Sequence, residues 1–183
     1  MSEQITLEKI INFLLETPMF EELDATELSE IVHIMQMQRF RAGQAIFSEG
    51  DNGDSWYVLF QGSAKVTKSS PFGPDRQVAT LGGHACFGEM AILDGSARSA
   101  TIAALDDTTV FRFPRAPFTQ LLDAGNLGAF KLVHGMARVL SQRQRRLTQQ
   151  VSELMEELEE SNSTLNHDLG DLGDLIDRYT VSE

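Results

Sequence analysis

The chain has a single cysteine, Cys86, among its 183 residues, so it closes no disulfide of its own. Folds stapled by disulfide frameworks are thereby excluded, and a reducing compartment is the default expectation. No uninterrupted apolar run approaches the roughly 18 to 20 residues needed to span a bilayer. The N-terminus, Met1-Ser2-Glu3-Gln4, lacks the positive region and apolar stretch of a signal peptide, so a cytoplasmic protein without membrane association is expected. Positive charge is scarce as well. Fifteen Lys and Arg stand against 27 Asp and Glu, a net charge of −12, which argues against general nucleic-acid binding. P-loop, HExxH and GxGxxG patterns are missing. Nothing resembles a general acid/base pair or an activated nucleophile, so no enzymatic activity is expected. His84 and Cys86 make an incomplete ligand set, and neither a metal nor another cofactor is expected.

What is present is apolar enough, at 42%, to fill a core. The charge is unevenly spread. Residues 151–183 hold ten acidic side chains and one basic, a net of −9, whereas residues 1–150 sum to −3. The acidity therefore belongs to a tail. Near the start, Leu7, Ile10, Ile11, Leu14 and Leu15 have helical spacing. A second helix is expected from Asp24, with Glu27 as its capping-box partner, through Leu28, Ile31, Val32, Ile34 and Met35. After Arg39–Phe47 and the turn chemistry of residues 49–54, short β-like runs follow at Trp56–Phe60, Ser63–Lys68, Gln77–Leu81, Thr101–Leu105 and Thr108–Phe113. Close spacing of short strands points to a small antiparallel barrel or sandwich.

Helical periodicity resumes at Pro117-Phe118 and, beyond Asn126, continues without proline. Heptad positions a and d take Phe130, Val133, Ala137, Leu140, Leu147, Val151, Leu154 and Leu158, with Gln144 as a polar a residue. A coiled-coil-like helix with a partner helix is implied. Phe130 and the methionines sit at helical spacing and are expected in the core. Arg138, Arg143, Arg145 and Arg146 form a basic knot ahead of the acidic tail, either a solvated face or an attractor for the acidic tail of another chain.

The most informative stretch runs from Phe87-Gly88-Glu89-Met90-Ala91 to Arg98-Ser99-Ala100-Thr101. Backbone N–H groups at a turn favour an anion, and the forked Arg98 donor matches phosphate oxygens. Glu89 would be unwelcome beside a bare phosphate but can accept a hydrogen bond from a ribose hydroxyl. Together these residues describe a receptor for a singly charged sugar phosphate.

This stretch resembles the phosphate-binding cassette of cyclic-nucleotide-binding domains, found in the catabolite activator protein family, protein kinase A regulatory subunits and cyclic-nucleotide-gated channels. Gly43, Ile46-Phe47, Glu49-Gly50-Asp51, Asp54, Tyr57-Val58 and Gly62 are similar to the family's glycine-rich signature. The resemblance covers about residues 15 to 145. It implies an α+β, mainly β fold: an eight-stranded antiparallel β-roll, jelly-roll-like, flanked by N-terminal helices and a long C-terminal dimerisation helix. The ligand implied is cAMP or cGMP, with Phe87, Gly88, Glu89, Met90, Ala91, Arg98 and Ser99 as its site. In that family pattern Glu89 holds the ribose 2′-hydroxyl, while Arg98 and Ser99 hold the cyclic phosphate. Alignment of the C-helix puts base contact at Arg143 and Gln144. The family usually has glycine where His84 stands, so the loop before the cassette is expected to differ.

The expected organisation is an N-terminal helical segment at 1–38, the β-roll at 39–116, the C-helix extending into a coiled coil at 117–161, and an acidic tail at 162–183. The remainder after the C-helix is short and acidic, so the family's winged helix-turn-helix and direct DNA binding are not expected. A homodimeric cyclic-nucleotide sensor that signals to a protein partner through the tail is the leading expectation. A ligand-free dimeric scaffold and the sensory front of a longer enzyme are the alternatives.

Overall fold

The computed structural model describes residues 5–180, with side chains through residue 162. Expectations for Met1-Ser2-Glu3-Gln4 and for the tail side chains beyond residue 162 lie outside the described residues. Two compact units divide the chain, Met1–Val139 and Leu140–Glu183.

Helix α1, Leu7–Leu15, begins where the Thr6 hydroxyl accepts the Lys9 N–H at 3.2 Å, and it buries Ile10 and Leu14 one turn apart. A single 3-10 turn, Pro18–Phe20, sinks Met19 and Phe20 into the core. Helix α2, Ala25–Val32, opens on the expected capping box. The Asp24 carboxylate accepts the Thr26 and Glu27 N–H groups, and Glu27 accepts the Asp24 N–H at 3.0 Å. The helix stops at Val32, short of the expected Ile34 and Met35, because the chain becomes extended from Gln36 to pair with a central strand.

Eight strands follow: β1 Gln36–Phe40, β2 Ala45–Phe47, β3 Ser55–Gln61, β4 Ala64–Lys68, β5 Arg76–Leu81, β6 Cys86–Phe87, β7 Thr101–Ala104 and β8 Thr108–Pro114. They make two four-stranded antiparallel sheets, ordered β1-β8-β3-β6 and β2-β7-β4-β5. The eight-stranded roll implied by the resemblance is what the chain forms.

Strand β3 organises both cores because successive side chains leave it on opposite faces. Trp56 and Val58 point with Phe111 and Phe113 toward the helices. Tyr57 and Leu59 point between the sheets, against Phe87, Ile102 and Val110. Trp56 and Phe113 stack at 4.1 Å between ring centroids. Each such side chain contributes roughly 1.5–3 kcal/mol on burial, which makes this strand the main apolar anchor.

After helix α3, Met90–Asp94, and helix α4, Arg115–Asp123, comes helix α5, Leu127–Thr180. Its first turns bury Ala129, Leu132 and Met136 against the helical core. That stripe lies one residue, about 100° of helix rotation, away from the heptad stripe of Phe130, Val133 and Ala137. Phe130 is therefore 52% exposed and not a core residue, contrary to expectation. Met19 and Met136 are core, whereas Met37, Met90 and Met155 are exposed. Lys131 pairs with Glu27 at 2.7 Å, and Arg138 pairs with Glu21, which removes Arg138 from the basic knot.

Gly135 marks the tightest approach of α5 to the 3-10 turn: a Cβ there would lie 2.3 Å from the Met19 carbonyl oxygen. Gly135→Ala gains about 1 kcal/mol of helix propensity but forces backbone apart, an overpacking penalty of roughly 1–3 kcal/mol or more. The variant is expected to melt several degrees below wild type in calorimetry, the reverse of what propensity alone predicts.

Candidate anion-binding site

The site is built around the entry to β7. Gly88, at φ +78°, turns the chain out of β6, and the short helix α3 follows from Met90. Gly95 ends α3 in the left-handed region, and Asp94 accepts both the N–H and the hydroxyl of Ser96. Those two bonds hold the Asp94 carboxyl below its ordinary value. The loop then returns to the roll through an isolated bridge between Ala97 and Asn52. Arg98 is bonded to the glycine-rich turn in both directions: its N–H donates to Asp51 O and its carbonyl accepts the Gly50 N–H, each at 2.9 Å.

Glu89 and Arg98 are 2% and 4% exposed, so the two chemistry-bearing residues read from sequence are both withdrawn from bulk water. The Arg98 guanidinium lies 4.2 Å over the Phe47 ring. One terminal nitrogen donates to Gly88 O at 2.9 Å and the other to Ser55 O at 2.7 Å, with the Asp54 carboxylate 3.7 Å away. Burial holds its pKa below the ordinary arginine value, against the opposing pull of Tyr57, Asp54 and Asp51. Its Nε is buried and has no hydrogen-bond partner among the described residues. A buried donor left unmade is costly, so Nε is open to an acceptor beyond the described residues. Gly88 must be glycine here, since a Cβ would lie 2.8 Å from the Arg98 guanidinium.

The other residues proposed from sequence take distinct places. Phe87 is core and stacks on Tyr57 at 5.3 Å. Ala91 is buried against Gly53, where a Cβ would come within 2.1 Å of it. Met90 is 46% exposed at the start of α3, and Ser99 is exposed. Arg143 and Gln144 stand on α5 within the second unit. A cleft of about 580 Å³ opens beside Arg98, walled by Phe47, Tyr57, Asp51, Asp54 and Arg112. Glu89 and Ser99 are not in its walls, so this cleft reaches the guanidinium from the Asp54 side.

His84 keeps the backbone that a glycine would favour, at φ +64°. Its ring stacks on Phe13 at 4.0 Å and its Nδ1 meets the buried Thr17 hydroxyl at 2.9 Å. The loop ahead of the cassette is thus tied to α1 through Phe13 and to Thr17, two residues beyond the helix. Sequence reasoning overlooked Phe47 and Ser55, although Phe47 sits in the glycine-rich stretch. It overlooked Lys68 altogether. Lys68 Nζ donates to Glu49 at 2.5 Å and to Ser99 O at 2.8 Å, clamping two rims of the site across 31 residues of chain.

Hydrogen bonds from Lys68 and the Ser69 N–H lower the Glu49 pKa from 4.5 to about 2. A carboxylate depressed on folding stabilises the fold above its unfolded value and loses that contribution as pH falls through the folded one. The Glu49 carboxyl is expected to titrate near pH 2 by carbon NMR in wild type and to return toward 4.5 in Lys68→Met. An unchanged midpoint in the variant would remove Lys68 as the cause.

Residues 37–125 match the family model described as Cyclic nucleotide-binding domain. The chain is 32% identical over 115 residues to a cAMP-dependent protein kinase regulatory subunit of Mycosarcoma maydis, covering 60% of this chain and 22% of that protein. It is 31% identical over 124 residues to the Cyclic AMP receptor protein of Thermus thermophilus, covering 68% and 57%. These curated relatives are therefore longer, and the chain spans about a fifth to just over half of their length. A solved cyclic nucleotide-binding domain from Methylobacillus flagellatus superposes with a TM-score of 0.70 at 25% identity, covering 76% of this chain and 80% of that one. No described helix is long and apolar enough to cross a membrane. With its two-sheet roll, its glycine turn and a buried arginine at the cassette position, the stretch 37–125 of this chain carries the features of a cyclic nucleotide-binding domain.

Proposed function

We propose that the protein is a sensor that binds cAMP or cGMP and signals by repositioning α5 within a homodimer, acting through binding and not through turnover. The single observation that carries the ligand reading is the buried Arg98 guanidinium, which is cationic, stacked on Phe47 and short of one acceptor at Nε. A cyclic phosphate brings one negative charge and several acceptors, enough to satisfy that donor without overloading the site. Glu89, equally buried, serves the ribose hydroxyl, and Gly88 lets the ligand approach the backbone. Polyphosphates fit poorly, since Asp51, Asp54 and Glu49 surround the same turn and repel additional charge.

Arg143 and Gln144 are the α5 residues proposed for the base edge. A nucleotide that prefers one arrangement of α5 tenfold over another couples site to helix by about 1.4 kcal/mol. The acidic tail is proposed as the contact for a protein partner.

Thermal shift with cAMP and with cGMP tests the reading. At a hundredfold excess over Kd, a ligand bound only to the folded state stabilises it by about 2.7 kcal/mol, which is several degrees of Tm. Wild type is expected to shift with at least one of them and Arg98→Lys to lose the shift, because a lysine cannot reproduce the fork. Glu89→Gln, nearly isosteric, is expected to weaken the shift without lowering the unliganded Tm by more than a few degrees. No shift for wild type with either nucleotide overturns the sensor reading and leaves a ligand-free scaffold.

A further inference from the structure

The second unit carries an apolar face without a partner among the described residues. Leu147, Val151, Leu154 and Leu158 fall on one heptad stripe of α5 and are 55–64% exposed. The charge along the same stretch is strongly polarised. Residues 140–150 carry Arg143, Arg145 and Arg146 and no acid; residues 151–162 carry five glutamates and no base. From this distribution we infer that residues 140–158 of α5 pair with a second copy of the same segment in antiparallel orientation. The inference rests on the proposed dimerisation through α5 and adds its direction.

Two facts select the orientation. In a parallel pair, the three arginines of one helix lie level with those of the other, and the five glutamates likewise, so like charges gather at both ends. Reversing one helix sets each basic half beside an acidic half. The second fact concerns the positions that flank the seam. Of the g positions 143, 150 and 157, the charged ones are Arg143 and Glu157, opposite in sign and two heptads apart. A parallel pair puts Arg143 beside Thr148 of the partner subunit and Glu157 beside Asn162 of the partner subunit, with no ion pair formed.

In the antiparallel pair one register satisfies seam and flanks together. Leu140 meets Leu158 of the partner subunit, Leu147 meets Val151 of the partner subunit, and Gln144 meets Leu154 of the partner subunit. The same register brings Arg143 to within two residues, about 3 Å along the axis, of Glu157 of the partner subunit, and by the two-fold axis this happens twice. Gln144 is the polar layer, a device that limits register and orientation at some expense of stability, and base contact by Gln144 or Arg143 competes with this pairing.

Interchain distances between spin labels on the intact chain, in a Cys86→Ala background, test the inference. Labels are placed singly at Ser141→Cys or Gln150→Cys. In the antiparallel register, position 150 lies almost level with its counterpart, about 3 Å apart along the axis, whereas the two copies of position 141 are offset by about 24 Å. A short distance at 150 with a long one at 141 is the expected result. Short distances at both positions establish a parallel dimer and overturn the orientation while leaving the dimer. No interchain distance at either position removes the dimer itself, and the nucleotide reading then stands or falls on its own thermal-shift test. A charge swap on the native background gives an independent readout that does not depend on Cys86. Arg143→Glu and Glu157→Arg singly are expected to weaken association roughly fivefold in sedimentation equilibrium, and the double variant to recover it. In a parallel pair the double variant has no ion pair to restore, and failure to recover overturns the inference.

Discussion

A guanidinium taken out of water constrains everything near it. Arg98 is 4% exposed, and a buried cation is tolerated only where acceptors and polarisable surface replace its hydration. The roll supplies them from three directions: Ser55 O from the start of β3, Gly88 O from the turn after β6, and the Phe47 ring from β2. Because both carbonyls are main chain, no side-chain substitution can supply or remove them, and only backbone geometry can. The backbone bonds between Arg98 and residues 50 and 51 close the same knot from the other side. One side chain thereby sets the mutual position of the glycine-rich turn, the central strand and the cassette. The buried Nε is the remaining demand, open to an acceptor beyond the described residues.

The rest of the first unit keeps that knot rigid. Strand β3 is buried on both faces, so a shift of one residue in its register would exchange Trp56 and Val58 with Tyr57 and Leu59 and disrupt two cores at once. Helix α5 divides its duties by angle. The stripe of Ala129, Leu132 and Met136 is spent within the first unit, whereas Leu147, Val151, Leu154 and Leu158 of the heptad stripe are exposed in the second. Arg138 belongs to the first duty through Glu21, whereas Arg143, Arg145 and Arg146 lie in the second unit.

What could be read from the sequence follows the strength of each local signal. The Asp24–Glu27 capping box was legible because three residues and two side-chain types suffice to make it. The five strands with clear apolar runs were legible for the same reason. Strand β1, Gln-Met-Gln-Arg-Phe, was not, since it is largely polar and gains its pairing from β8, 68 or more positions away. Strand β6 is two residues long and carries no period of its own. Glu89 and Arg98 were found through motif chemistry. The clamp by Lys68 was invisible, because an ordinary lysine becomes informative only when folding brings Glu49 and Ser99 to it. Phe130 was misplaced because a heptad stripe and a core stripe look alike until the packing partner is known.

His84 carries a consequence at the level of single protons. The Thr17 hydroxyl has one hydrogen, and it is donated to Phe13 O at 2.9 Å. Phe13 O has none to give, so the contact between Thr17 and His84 must draw its hydrogen from the imidazole, and Nδ1 is the protonated nitrogen. The tautomer of this ring is thereby assigned by a neighbour that titrates nowhere in the accessible range. The tie between the segment after α1 and the loop ahead of the cassette therefore has a direction, the loop giving the hydrogen and the Thr17 oxygen receiving it.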